Sequence, residues 1–266
     1  MLQSIDHIVV VVRNLAEASA DYARAGFTVT PGGEHVGGAT HNALISFVDG
    51  TYFELIAFTQ PDEPQEHRWW KRLACGEGLV DYALLASDLD AEAARVRAAG
   101  LPLRGPADGG RLRPDGQSLV WRSFFLGPGV GESALPFVIQ DVTPRPLRVP
   151  GGPATRHRLG VTRVAGLSLV VAGLDRASAE FAALLGGSDG KAIDSRGEGA
   201  AVRFGLGQQW LELVEPANAA SSAGRRLTSL GEGPYEVVLS RAGGAAPGEG
   251  EPLTAGLHGA RIRVAG

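Results

Sequence analysis

The sequence predicts an α+β protein assembled from tandem βαβββ modules, and three observations carry that expectation. A Val-rich strand at the amino end leads directly into an amphipathic helix and then into further strands. The strand–helix pattern returns near residue 166, with the same small-residue word inside its helix. Two more segments open on the related words GEGLVDYALLAS and GEGPYEVVLS. Repetition of one supersecondary unit sets the architecture before any motif does.

Residues 4–12 (SIDHIVVVV) are β-branched and continuous, as in a central strand covered on both faces. Asn14 is placed to cap a helix from about Leu15 to Ala25, which Gly26 closes. HNALISFV and TYFELIAF follow as strands around Asp49-Gly50, a signal for a two-residue hairpin. The second unit has its own helix, LDAEAARVRAAG, and ends in LPFVIQD. In the third, GLSLVVAGLDRASAEFAALLG lies over HIVVVVRNLAEASADYARAGF, and WLELVEP lies over YFELIAF, so that Glu212 matches Glu54. The fourth reads as truncated: PLTAGLHGARIRVAG supplies a last strand and leaves little room for a helix. The modules fall at about 2–58, 78–141, 163–215 and 232–266. They group into a domain over 1–145, a Pro-rich linker over 146–162 and a second domain over 163–266. GGAAPGEGEP is of low complexity and reads as a mobile surface loop.

At 266 residues with 44% hydrophobic and 20% charged residues, the chain has ample core for either one large domain or two. A net charge of −4 argues against nucleic acid or an anionic membrane as partner. The single cysteine, Cys75, excludes an internal disulfide framework and a cysteine-based metal site. No His–acid arrangement accompanies it, which argues against a thiol nucleophile. The apolar opening stops at Arg13 and follows Asp6 and His7 without a basic leader, so the expectation is a cytoplasmic protein with no membrane span. No P-loop or other strand-to-helix glycine motif supports nucleotide binding.

The words IDHIVVVVRNL and FELIA, repeated as units along essentially the whole chain, resemble the vicinal oxygen chelate superfamily of glyoxalase I, bleomycin-resistance proteins and extradiol dioxygenases. GGEHVGGATHNALISF, RLRPDGQSLVW and LPFVIQD are similar to its glyoxalase-like group. The resemblance implies paired units forming a cupped sheet around a pocket, either within one chain or across a homodimer. It implies one divalent ion (Zn²⁺, Ni²⁺, Mn²⁺ or Fe²⁺) held by the first and last strands of each unit. Carried over by position, the metal ligands are His7, Glu54 and Asp81, the last where the family has histidine. The fourth position, in LPFVIQ, offers no carboxylate, only Phe137, Val138 or Gln140. In the second pair of units Gly166 stands in the place of His7, with Glu212 and Glu236 remaining, so that half reads as a decayed copy.

Strand alternation independently puts Ile5, His7, Val9 and Val11 on one face, and Tyr52, Glu54 and Ile56 on one face of another strand. The competing reading of His7 and Glu54 is a hydrogen-bonded polar pair in a core that needs no ion. His41 and Asn42 open a strand beside the expected pocket, His41 as a candidate catalytic donor and Asn42 as a substrate contact. His35, in the same Gly-rich turn, reads as a solvated loop residue. Arg111 and Arg113 are candidate substrate-binding cations, balanced against simple salt bridges with nearby acids. Trp69-Trp70 reads as a hydrophobic staple under a long loop and Trp121 as a sheet residue.

These expectations converge on a metal-assisted lyase or isomerase acting on a small oxygenated metabolite. Glu54 serves as ligand or general base and His7 as anchoring ligand. The alternative is a metal-free protein that sequesters a small molecule. An extradiol dioxygenase fits less well, because Asp81 breaks the two-His, one-carboxylate pattern.

Overall fold

The computed structural model describes residues 1–243, 250–253 and 256–266. In the first unit, β1 (Leu2–Val11), α1 (Leu15–Ala25), β2 (Thr30–His35), β3 (Thr40–Ser46) and β4 (Tyr52–Phe58) follow the βαβββ order. After the short α2 (Trp70–Ala74), the second unit runs β5 (Gly78–Ala86), α3 (Leu89–Ala98), β6 (Leu103–Leu112), β7 (Ser118–Leu126) and β8 (Phe137–Asp141). A single turn, α4 (Arg145–Arg148), leads out of this half. The third unit comprises β9 (Val161–Val170), α5 (Leu174–Leu184), β10 (Lys191–Asp194), β11 (Gly199–Leu206) and β12 (Gln209–Pro216). Then come α6 (Ser222–Leu230), β13 (Gly233–Arg241), β14 (Glu251–Pro252) and β15 (Ile262–Ala265).

α1, α3 and α6 begin at a side-chain cap. Asn14 accepts from the backbone N–H groups of Ala16 and Glu17, and Gly26 closes α1 at φ 105°, a left-handed conformation that favours glycine. Asp88 caps α3 through the N–H of Ala91. The β3–β4 hairpin departs from the two-residue expectation. Phe47 and Thr51 still pair, with the Phe47 N–H donating to the Thr51 carbonyl at 2.8 Å, so three residues make the loop. Gly50 takes φ 83° there, the glycine position of a three-residue loop.

Strands β1 to β8 close into a barrel in the order β1-β4-β3-β2-β6-β7-β8-β5. β1 is central: it runs parallel to β4 and antiparallel to β5. A register shift between Ile5 and His7 breaks the simple alternation expected there. Ile5, Ile8 and Val10 face outward into the large core, whereas Val9 and Val11 face the barrel interior with Ile56, Trp69 and Phe137. β9 to β15 form a separate seven-stranded sheet, β10-β11-β12-β9-β13-β15-β14. The large core is continuous across both, joining Ile8, Phe53 and Leu84 to Val164, Leu211 and Val237. The Ile5 N–H donates to Gln209 Oε1 at 2.7 Å across that junction. Of the low-complexity segment, residues 244–249 lie outside the described residues.

Among the described residues no helix is long and apolar enough to cross a membrane.

Candidate functional site

The barrel interior opens into a cavity of about 600 Å³ with a polar floor and an aromatic wall. The floor is built by four neighbouring strands. β1 contributes His7, β4 contributes Tyr52 and Glu54, and the β2–β3 hairpin contributes His35 and Asn42. The register explains the convergence: Glu54 lies beside Val9 of β1, and His7 lies beside Tyr52.

Glu54 is the focus. Asn42 Nδ2 donates to its Oε1 at 2.6 Å, and His35 Nε2 lies 3.2 Å from the same oxygen. His7 Nε2 lies 3.5 Å from the other oxygen, Oε2. Burial pushes the Glu54 carboxyl up, but the hydrogen bond and charge of His35, with His7 and Asn42, outweigh it and hold it at about 2. Each imidazole is fixed from behind. His7 Nδ1 bonds Asp6 Oδ1 at 2.6 Å, while its ring stacks on Tyr52 at 4.7 Å and meets Phe137 edge-on. His35 Nδ1 is held by Thr40 Oγ1 at 2.9 Å, and its ring meets Trp121 edge-on.

A buried charge network supports the floor. Arg148 donates to both oxygens of Asp6 at 2.9 Å each, to the Tyr52 hydroxyl at 2.7 Å, and to Asp141. Burial pushes the fully buried Asp6 up, but Arg148 and His7 together hold it well below the usual carboxylate range. On the other side Arg111 Nη1 donates to Asn42 Oδ1 at 3.0 Å and its Nη2 to the Arg148 carbonyl. Arg111 therefore orients the amide that holds Glu54.

The expected site residues divide accordingly. His7, Glu54, Asn42 and Arg111 come together. His41 does not: Thr40 and Asn42 point inward, and His41 lines a separate recess with Arg13, Glu77 and His258. Arg113 is turned away as well, pairing with Asp115 at 2.8 Å and donating to the Leu147 carbonyl. Two residues of the floor and its support are not apparent from the sequence. His35 looks like a turn residue, yet β2 extends to it and pairs it with Arg111 of β6, which puts its ring inside the barrel. Arg148 lies in the expected linker, and nothing local signals that α4 folds back under the floor. Trp69 and Trp121, read as structural, line the cavity.

Asp81 is where the geometry differs most from the expected ligand set. Across β1 and β5, His7 pairs with Ala83 and Val9 with Asp81, so His7 and Asp81 are symmetry-related places. Ala83 in turn lies beside Phe137 as Val9 lies beside Glu54, which makes Phe137 the counterpart of Glu54. Asp81 is engaged: Arg68 Nη2 lies 2.9 Å from its Oδ2, Trp69 Nε1 donates to the same oxygen at 2.8 Å, and the Tyr82 N–H donates to Oδ1. Among the described residues, no three or more His, Cys, Asp or Glu side chains are placed to hold a metal ion. The four-position ion site implied by the resemblance does not fit this donor set: one position, Phe137, is apolar, and another, Asp81, is already in an ion pair with Arg68.

In the second sheet the equivalent positions are filled differently. Gly166 takes the place of His7, and the Trp210 ring lies 2.1 Å from where its Cβ would be. Arg203 stacks on that ring at 4.1 Å and pairs with Glu212, while Glu236 is held by Arg196 at 2.8 Å and Arg263 at 3.0 Å. Guanidinium groups fill the space between its carboxylates.

Paired βαβββ units cupped around a cavity, with polar residues on the first and fourth strands, define a protein of the vicinal oxygen chelate fold. The chain matches the profile described as "Glyoxalase-like domain" over residues 5–185 and belongs to that family. No curated protein sequence matches it. Among solved structures, a hypothetical protein from Staphylococcus aureus superposes with a TM-score of 0.71 at 13% identity, over 98% of each chain. A mutant of 4-hydroxymandelate synthase from Streptomyces coelicolor gives 0.59 at 15% identity, over 90% of this chain and 71% of the other. A xylose isomerase-like TIM barrel/4-hydroxyphenylpyruvate dioxygenase fusion protein gives 0.56 at 16% identity, with 36% of that longer chain covered. At these identities the likeness is one of fold.

Proposed function

We propose that this barrel binds a small hydroxycarbonyl compound and moves a proton on it, as a lyase or isomerase whose chemistry rests on side chains rather than on a bound ion. The observation that supports this most is the convergence of His7, His35 and Asn42 on one buried carboxylate at the floor of a cavity large enough for a metabolite.

A carboxyl held at about 2 is a poor proton acceptor near neutrality, so Glu54 acts as a fixed anion and not as the base. Imidazole is the group suited to carry a proton there. In its neutral form with the proton on Nδ1, donated to Thr40 Oγ1, His35 takes the proton from the carbon next to the substrate carbonyl at Nε2. The C–H electron pair forms the enediol double bond, and the carbonyl oxygen takes a proton from His7 Nε2. Glu54 stabilises whichever imidazole is charged. The other hydroxyl then loses its proton to His7 Nε2 as its carbon–oxygen double bond forms, and His35 returns the abstracted proton to the former carbonyl carbon, which completes an isomerisation with no oxidant or reductant.

The test is solvent-deuterium exchange at the carbon beside the carbonyl of hydroxyacetone, followed by proton NMR. Catalysed exchange in the presence of a chelator, reduced about a hundredfold or more in His35→Gln, supports the reading. Absence of exchange across a panel of short hydroxyketones overturns it. The aromatic wall and Phe137 in a ligand position favour a second reading, sequestration without turnover, which binding without exchange would select.

A further inference from the structure

Away from the floor, the polar lining of the cavity is His67 and Arg68 beside Trp69, the buried Ser123, and the exposed Asp108 and Ser118. The charge of Arg68 is balanced by Asp81 at 2.9 Å and its guanidinium sits over the Phe125 ring at 4.2 Å, with Nε and Nη1 buried and without a hydrogen-bond partner. Above the floor the wall is Ile56, Trp69, Phe125, Phe137 and Ile139. This surface continues to the mouth, where Val36, Leu112 and Val120 are 80%, 51% and 38% exposed. Single surface valines need no explanation. Here, however, three of the six large hydrophobic side chains left exposed among the described residues stand on one rim, continuous with the apolar wall below.

We infer that the substrate is an amphiphile, with a hydroxycarbonyl head on the floor and an uncharged alkyl or aryl tail that follows the wall and leaves over this rim. The inference rests on the proposed reading that the floor takes a hydroxycarbonyl group. The fixed charge of Glu54 accepts a hydrogen bond from a hydroxyl and repels a carboxylate head. The tail covers apolar surface that the fold itself leaves in water.

Hydroxyacetone and its ethyl-, butyl- and hexyl-extended homologues are the probes, with binding read from quenching of Trp69 and Trp121. Affinity is expected to rise roughly three- to fourfold per added methylene. In Val36→Asp/Leu112→Asp the longest homologue should bind at least tenfold more weakly and the dependence of affinity on tail length should flatten. Val36→Ser, a milder change at an exposed position, should show a smaller loss in the same direction. Affinity independent of tail length overturns the inference. So does a wild-type dimer that the double substitution splits, since a second copy would then cover the rim. If straight-chain alcohols tighten with length while no hydroxyketone undergoes exchange, the tail site stands and the proton-transfer reading fails.

Discussion

Arg148 grips Asp6 through both terminal nitrogens, at 2.9 Å each, and so ties the segment leading out of the barrel to the residue preceding His7. Both side chains are essentially inaccessible. Removing one partner leaves a charge in the interior with fewer donors. Arg148→Met is expected to lower the unfolding free energy by about 3 kcal/mol, read from denaturant titration. It should also weaken the His7–Glu54 contact, because Asp6 is what holds the His7 ring. No loss of stability would show Arg145, the other cation on Asp6, to be sufficient.

The pH dependence of stability follows from the same two carboxylates. Asp6 and Glu54 are both held below their ordinary values of 3.8 and 4.5. A depressed folded value means that the unfolded chain takes up protons first as pH falls. Their contribution is therefore complete above about pH 4.5 and declines toward pH 2 for Glu54. Unfolding free energy measured between neutrality and pH 3 should fall below about 4.5, and Glu54→Gln should flatten that fall. A curve unchanged by the substitution would contradict the assignment.

Chelation should be without effect. Protein purified without chelator is expected to carry less than stoichiometric Zn, Ni, Mn or Fe by mass spectrometry. Its melting temperature should be the same with and without EDTA, and His7→Ala should leave metal content unchanged. One tightly bound ion per chain, lost in His7→Ala, would restore the ion-based reading.

His35 and His41 make a matched pair of tests. His41 lies outside the main cavity, so His41→Ala should leave both exchange and binding intact, whereas His35→Ala should abolish exchange. Equal effects of the two substitutions would show that the cavity does not house the chemistry.

The second half predicts its own intolerance. A methyl group at Gly166 meets the Trp210 ring at 2.1 Å, so Gly166→Ala should cost about 1–3 kcal/mol by overpacking while leaving ligand binding at the barrel unaffected. A neutral effect, measured by thermal unfolding, would mean that Trp210 is free to move.

The repeat made most of the fold legible, because a recurring strand–helix–strand pattern carries its own register. Asn14 placed the start of the first helix for a local reason that a sequence displays. The site was legible only where residue type and strand alternation act together, as for His7 and Glu54. His35 and Arg111 are neighbours through pairing of two hairpins far apart in sequence, and no local pattern encodes that. Asp81 occupies the expected place, but its role is decided by Arg68 and Trp69, which reach it from an irregular segment. Alternation failed at Ile5 for a physical reason, the irregular register just before His7.

The barrel closes between β2 and β6 through two rungs, Glu34 with Leu112 and His35 with Arg111, extended by the Val36 N–H on the Gly110 carbonyl. Every other seam in the barrel is longer or lies deeper in the core. The shortest seam of the barrel thus carries His35 on one edge and Arg111, the guanidinium behind Asn42, on the other. The pairing that completes the enclosure is also the pairing that brings two of the floor's side chains beside Glu54, so closure of the wall and construction of the floor are one event in the fold.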